Sequence, residues 1–230
     1  QHLGYVNGFN QVLVGKYFLE SDLAIRGKLG INTNTVINKT FFDNPHDVFT
    51  NPGDPSKWEE ISDVNKTSNK DIIIGGGLEF RRGHNRLQGF YGGELLIGLG
   101  SSNITNKYGV EMTQDAITNG YTNANGTSLS GRVLANKSGA NLLFGLRGFA
   151  GVEYFFAPKM SIASEFGWGL GMTTTPRGKV KTEKWDTTNN KAETAEKSGN
   201  SKGSVLGFAV DEGIGKNLAP SAAVSIYFHF

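Results

Sequence analysis

Eight charged residues fall in one alternating pattern, with Arg26, Lys28, Arg81 and Arg147 set against Glu79, Glu94, Glu153 and Glu165. Bases and acids arranged so can pair as ion bridges or pass protons, and two carboxylates such as Glu153 and Glu165 could share acid and base roles. An unpaired charge removed from water is costly, so mutual pairing is the expectation, with a proton path or pore as the lesser reading. His2, His46, His84 and His229 show no ligand spacing, and the chain has no cysteine, so neither a thiolate metal site nor a disulfide is available. His46 stands near Asp43 and Asp47, a grouping that a hydrolase could use with a serine. No Gly-x-Ser-x-Gly elbow is present, and GWGLGM does not fit the dinucleotide fingerprint. No catalytic residue, cofactor or metal ligand is assigned.

Other groups sit in polar stretches. FFDNPHDVFTNPGDPSKWEEISD gathers Asp43, Asp47, Asp54, Glu59, Glu60 and Asp63. Such carboxylates either bind a divalent cation or simply solvate a surface loop, and their spacing matches no calcium motif. Trp58 and Trp185 lie among polar residues, where a large ring needs a partner, so both are candidates for an interaction surface.

The elements that position these groups show in the period. In LLFGLRGFAGVEYFF, Leu142, Phe144, Leu146, Ala150, Val152, Tyr154 and Phe156 share one face, while Gly145, Arg147, Gly151 and Glu153 share the other. MSIASEFGWGLGM, IIIGGGLEF, LQGFYGGELLIGLG and the stretch from Leu23 to Ile37 alternate in the same way. Period two over such lengths reads as strands longer than the usual 5 or 6 residues. Short connections follow Leu19, Phe80 and Phe156, and long polar ones run over about 41–70, 103–139 and 175–202, where solvated loops are expected. YFLESDLAI and YFFAPKMSI repeat one hairpin pattern.

The charged row is also the glycine row: Gly75, Gly77, Gly92, Gly98, Gly145, Gly151, Gly167, Gly169 and Gly171 alternate with the glutamates and Arg147. A solvated face has no use for so many strand-weakening glycines, whereas a narrow barrel lumen does. The apolar row then faces lipid, with Phe80, Tyr154, Phe156, Phe228 and Phe230 towards strand ends, where interfacial aromatics belong. A length of 230 residues suits one domain, and a net charge of +2 gives no field to draw nucleic acid. QHLGYVNG lacks the basic and apolar parts of an export signal, so an exported chain is expected to have lost one.

GKYFLESDLAIRGKLGI, VEYFFAPKMSIASEFGWGLG and the closing AVSIYFHF resemble the small outer-membrane β-barrels widespread in Bacteroidota, over most strands but none of the long loops. The resemblance implies an OmpA/OmpX-like barrel in the outer membrane, with no shared catalytic residues. It also implies a C-terminal aromatic strand, Phe228 and Phe230, that barrel-assembly machinery reads during insertion. Asp186-Thr187-Thr188 is similar to the short O-glycosylation acceptor of that phylum.

The reading of residues 1–230 is thus a single all-β domain: a closed antiparallel transmembrane barrel of eight strands with short periplasmic turns and long extracellular loops. Its role is structural or surface-interacting, with the lipid bilayer, lipopolysaccharide and other outer-membrane proteins as partners. A lipid A acylase or deacylase and a soluble lipocalin-like carrier are the alternatives. Two details are sharp enough to fail: a strand before Phe9, closed by a turn at VNGF, and residues 203–230 as one irregular strand instead of a hairpin turning at KNLAP.

Overall fold

The computed structural model describes residues 12–199, 202–210 and 222–229. With 71% strand and 7% helix the protein is all-β. One antiparallel sheet contains β1 (Val12–Phe18), β2 (Leu23–Asp43), β3 (Glu60–His84), β4 (Leu87–Lys107), β5 (Gly131–Lys137), β6 (Asn141–Ala157), β7 (Met160–Thr175), β8 (Lys179–Asp186), β9 (Lys191–Ser198), β10 (Gly203–Val210) and β11 (Ala222–Phe228). Two short α-helices, α1 (Pro45–Thr50) and α2 (Gln114–Thr118), and a 3-10 turn at Pro55–Lys57 sit in connections.

The trunk runs β1-β2-β3-β4-β6-β7. Its hairpins turn at the residues the sequence marks: Phe18 pairs with Ala24, His84 with Leu87 and Ala157 with Met160. At the second of these Asn85 adopts φ 59°, a left-handed conformation that asparagine tolerates. Beyond β7 one lane is shared. β10 pairs with β7 from Thr175 to Trp168 and β11 with β7 from Phe166 to Met160, both antiparallel. Val210 faces Trp168, so an unbroken register would put residue 212 opposite Phe166; Ala222 is there instead, ten residues later. The last segments are therefore collinear, as one interrupted strand, and Phe228 ends opposite Met160 beside the short turns. The expected strand before Phe9, the course of 211–221 and Phe230 lie outside the described residues.

The trunk is rolled. Arg26 on β2 reaches Glu165 on β7 at 2.6 Å, although β3, β4 and β6 lie between them in the sheet. Four strand spacings of about 4.8 Å would hold them some 19 Å apart on a flat sheet. Among the described residues no pairing joins β1 to β10 or β11, so the rolled sheet is open along that seam.

The long polar stretches are not the irregular loops expected from composition. β2 and β3 stay paired from Ile31↔Ile72 up to Asp43↔Glu60, and β4 stays on β3 as far as Lys107. The sheet forks on β4: Gly100 is its last residue paired with β6, and Asn103 to Thr105 pair with β5. Above that fork the order is β2-β3-β4-β5-β8-β9, a head standing on one side of the trunk. It has its own small core of Val110, Ala116, Tyr121 and Leu129 against Phe42, Ile61 and Ile117.

The trunk is apolar outside and ionic inside. Leu95, Ile97, Leu99, Ile74, Leu146 and Leu170 are exposed, whereas Glu79, Glu94, Arg26 and Arg147 are buried. On β4 the outward apolar row runs from Leu87 to Leu99, about 40 Å of strand, which at a tilt of about 40° is a band roughly 30 Å tall. Tyr17, Phe80, Tyr91, Tyr154, Phe156 and Phe228 are exposed at its short-turn end. Phe80 and Tyr91 stack there with ring centroids 5.6 Å apart.

Candidate functional site

Period-two strands bring the eight predicted charges onto the inner face, where they form one network. Arg147 Nη1 donates to Glu94 Oε1 at 2.9 Å and to Glu165 Oε1 at 2.7 Å, and Lys28 Nζ donates to Glu94 at 3.2 Å. Arg26 links this tier to the one below, through Glu165 at 2.6 Å and Glu79 at 3.4 Å. In the lower tier Arg81 Nε donates to Glu79 at 3.0 Å, its Nη1 donates to Gln88 at 2.9 Å and its Nη2 meets Glu153. Arg26 Nε and Glu94 Oε2 lie 3.6 Å apart, an ion pair without a hydrogen bond.

Lys16 is the member the sequence did not suggest. Its Nζ donates to Glu79 at 2.9 Å and to Glu153 at 3.4 Å. Counting Lys16, the network holds five bases against four acids, a formal excess of one positive charge. Two rings accommodate it: Lys16 Nζ lies 4.6 Å from the Phe90 centroid and 4.2 Å from that of Tyr227, contacts that stabilise a desolvated cation. The glycines make room. A Cβ at Gly167 would strike the Arg147 guanidinium, and one at Gly151 would strike the Phe90 ring.

Below Glu153 the structure assembles a serine, a histidine and an acid. Ser161 Oγ donates to Glu153 Oε1, His229 Nε2 lies 2.9 Å from Ser161 Oγ, and the same Nε2 lies 3.3 Å from Glu153 Oε1. In a nucleophilic triad the acid orients the imidazole through its other nitrogen. Here hydroxyl and carboxylate crowd one nitrogen, and Ser161 and Glu153 are fully buried, so the trio is a polar joint of the wall.

Above the network Leu96 and Leu143 pack with Ile73 as an apolar layer across the inner face. Past it the face becomes amide and hydroxyl. Asn38, Asn65 and Asn106 are cross-strand neighbours on β2, β3 and β4. Asn65 Nδ2 donates to Asn106 Oδ1 at 2.7 Å, and Asn106 Nδ2 to Val133 O at 2.9 Å. A cleft of about 650 Å³ opens between this face, β5, β8 and the turn at Asn123–Thr127. Tyr108 forms part of its wall, with its hydroxyl donating to Val133 O at 3.0 Å. Burial pushes the Tyr108 phenol above its ordinary value, and Arg132 opposes the shift.

The remaining predicted groups are dispersed over the head. His46 does not use Asp43 or Asp47; its Nδ1 lies 3.2 Å from Asp115 Oδ2 and 3.4 Å from Tyr121 Oη, which clasps α1 to the α2 loop. Two members of the acidic stretch bind backbone, while Asp54 meets Ser56 Oγ and Lys57 Nζ. Asp47 accepts from Glu59 N, and Asp63 accepts from Gly109 N at 2.8 Å and Ala124 N at 3.0 Å. Among the described residues no cluster of three His, Asp or Glu is arranged to hold a metal. Trp58 folds onto its own loop, donating from Nε1 to Asn51 O at 3.1 Å, while Trp185 is the penultimate residue of β8, opposite Ala192. Both are half-buried. Asp186 accepts from Thr188 N and from Asn189, bonds that hold its carboxyl below the usual range and leave Thr187 and Thr188 exposed at the β8–β9 turn. Phe228 is 62% exposed at the outer rim. Comparison with family models, with curated proteins and with solved structures gives no match.

Proposed function

We propose that the protein is an integral outer-membrane β-barrel of eight lanes with a plugged lumen, non-enzymatic, whose head presents a binding surface outside the cell. The inversion of the trunk carries this reading. Charged side chains fill the inside while leucine, isoleucine and aromatic side chains cover the outside in a band of membrane height. In water such a surface far exceeds the few hundred Å² that monomeric proteins expose. In lipid it is the expected lining; β2, β3, β4, β6 and β7 are paired on both sides, and a lipid setting demands that the free edges of β1 and β10–β11 be paired as well. The trunk supplies seven lanes, so closure requires one more at the seam between β1 and β10–β11. Known outer-membrane barrels have short periplasmic turns and longer extracellular connections, and the same asymmetry here supports a periplasmic position for the short-turn end and a cell-surface position for the head.

The ionic tiers and the Leu96–Leu143 layer argue against conduction. Refolded protein mixed with lipid vesicles should stay with the lipid through alkaline carbonate washing, and planar bilayers containing it should show no sustained ion current. Release into the wash would refute the membrane assignment, and steady openings would refute the plug.

A further inference from the structure

We infer that the cleft in the head is a binding site for a neutral, hydroxyl-rich saccharide of two or three sugar units. This deepens, and rests on, the surface-interaction role assigned to the head. The cleft measures about 650 Å³, within the roughly 300–1,000 Å³ of small-molecule sites, and most of the residues that line it carry polar side chains. Its floor is the Asn38–Asn65–Asn106 ladder, and its roof carries Asn123, Asn125 and Thr127. An amide offers a donor and an acceptor side by side, the complement of neighbouring sugar hydroxyls.

The charges inside the cleft, those of Asp63 and Arg132, are already committed. Asp63 spends both oxygens on Gly109 N and Ala124 N. Arg132 donates to Glu183 at 2.7 Å and to Val110 O at 2.7 Å, and its guanidinium covers the Tyr108 ring at 4.7 Å. Lys107 and Lys184 are exposed at the rim. In contrast, among the described residues the side chains of Asn38, Thr40, Asn125 and Thr127 form no hydrogen bond within the protein. Apart from the two rim ammonium groups of Lys107 and Lys184, what is left to meet a ligand is uncharged and both donating and accepting. Val64, Val133 and Tyr108 give apolar wall against which the C–H face of a pyranose can pack. The ladder is also prewired, because Asn65 and Asn106 hold each other, so little side-chain ordering remains to oppose binding.

The test uses the full chain refolded in a detergent without a sugar headgroup. Maltotriose, cellotriose and mannotriose are titrated by calorimetry beside a printed array of neutral glycans, with sialyllactose as the acidic comparator. Saturable binding of a neutral glycan is expected, weakened at least tenfold by Asn38→Ala with Asn125→Ala. Those two side chains have no intramolecular bonds to lose, so the variant should keep the parent's strand content by circular dichroism. Absence of any neutral ligand, preference for sialyllactose, or binding unchanged in the double variant would overturn the inference. Vesicle insertion without sugar binding rejects the cleft alone, and sugar binding without insertion rejects the membrane reading alone.

Discussion

Replacing Glu153 by Ala should lower the unfolding free energy by about 3–5 kcal/mol, the usual cost of removing one partner from a buried ion pair. The side chain is fully buried and receives Arg81, Lys16 and Ser161, with His229 beside it. Its loss leaves Lys16 with Glu79 alone, and Arg81 with Glu79 and Gln88, among buried side chains. Reversible urea unfolding in micelles reads the change as a shifted midpoint. Removing the exposed carboxylate of Glu196, which holds Lys179 at 2.8 Å on the surface of the head, should not move the midpoint, since such pairs are solvated and contribute little. Equal behaviour of the two variants would mean that the interior is wet and that the charges are not a structural plug.

Leu95→Arg should cost about 2–4 kcal/mol and impair insertion, the penalty for a guanidinium facing lipid near the bilayer midplane. Leu95 is 63% exposed on the outer face, so in an aqueous setting the same change would be close to neutral. The two environments thus predict different outcomes at one position. Thr105→Arg, on an exposed site of the head, is the matched control and should fold and insert as the parent does. A Leu95→Arg chain as stable as the parent in lipid would place the apolar band against protein or water.

What was legible in the sequence follows from where solvent changes across a strand. β4, β6 and β7 separate an ionic face from an apolar one, so their alternation names each inward charge from Glu94 to Glu165. β3 between Glu60 and Lys70 has polar residues on both faces and β9 is exposed at every position. Such strands carry no hydrophobic period, and only their pairing partners reveal them. Lys16 was hidden for a related reason: β1 is seven residues long and offers too few alternations to fix its inner row. The core of the head was equally silent, because Val110, Ala116, Tyr121 and Leu129 come together from a loop with no regular spacing. The glycines, by contrast, were informative. Their concentration on the charged row reflects contacts such as Gly167 with Arg147, which leave no space for a Cβ.

The inversion of the trunk is tested most directly by spin labelling, for which a chain without cysteine is well suited. Single cysteines placed in turn at positions 94 to 99 of β4 would carry a nitroxide in protein reconstituted into vesicles. Labels at Leu95, Ile97 and Leu99 should collide readily with oxygen, which concentrates in lipid, and poorly with a water-soluble nickel chelate. Labels at Glu94, Leu96 and Gly98 should be shielded from both. High chelate accessibility at 95, 97 and 99, or the absence of any two-residue period, would contradict an outer face in lipid and an ionic interior.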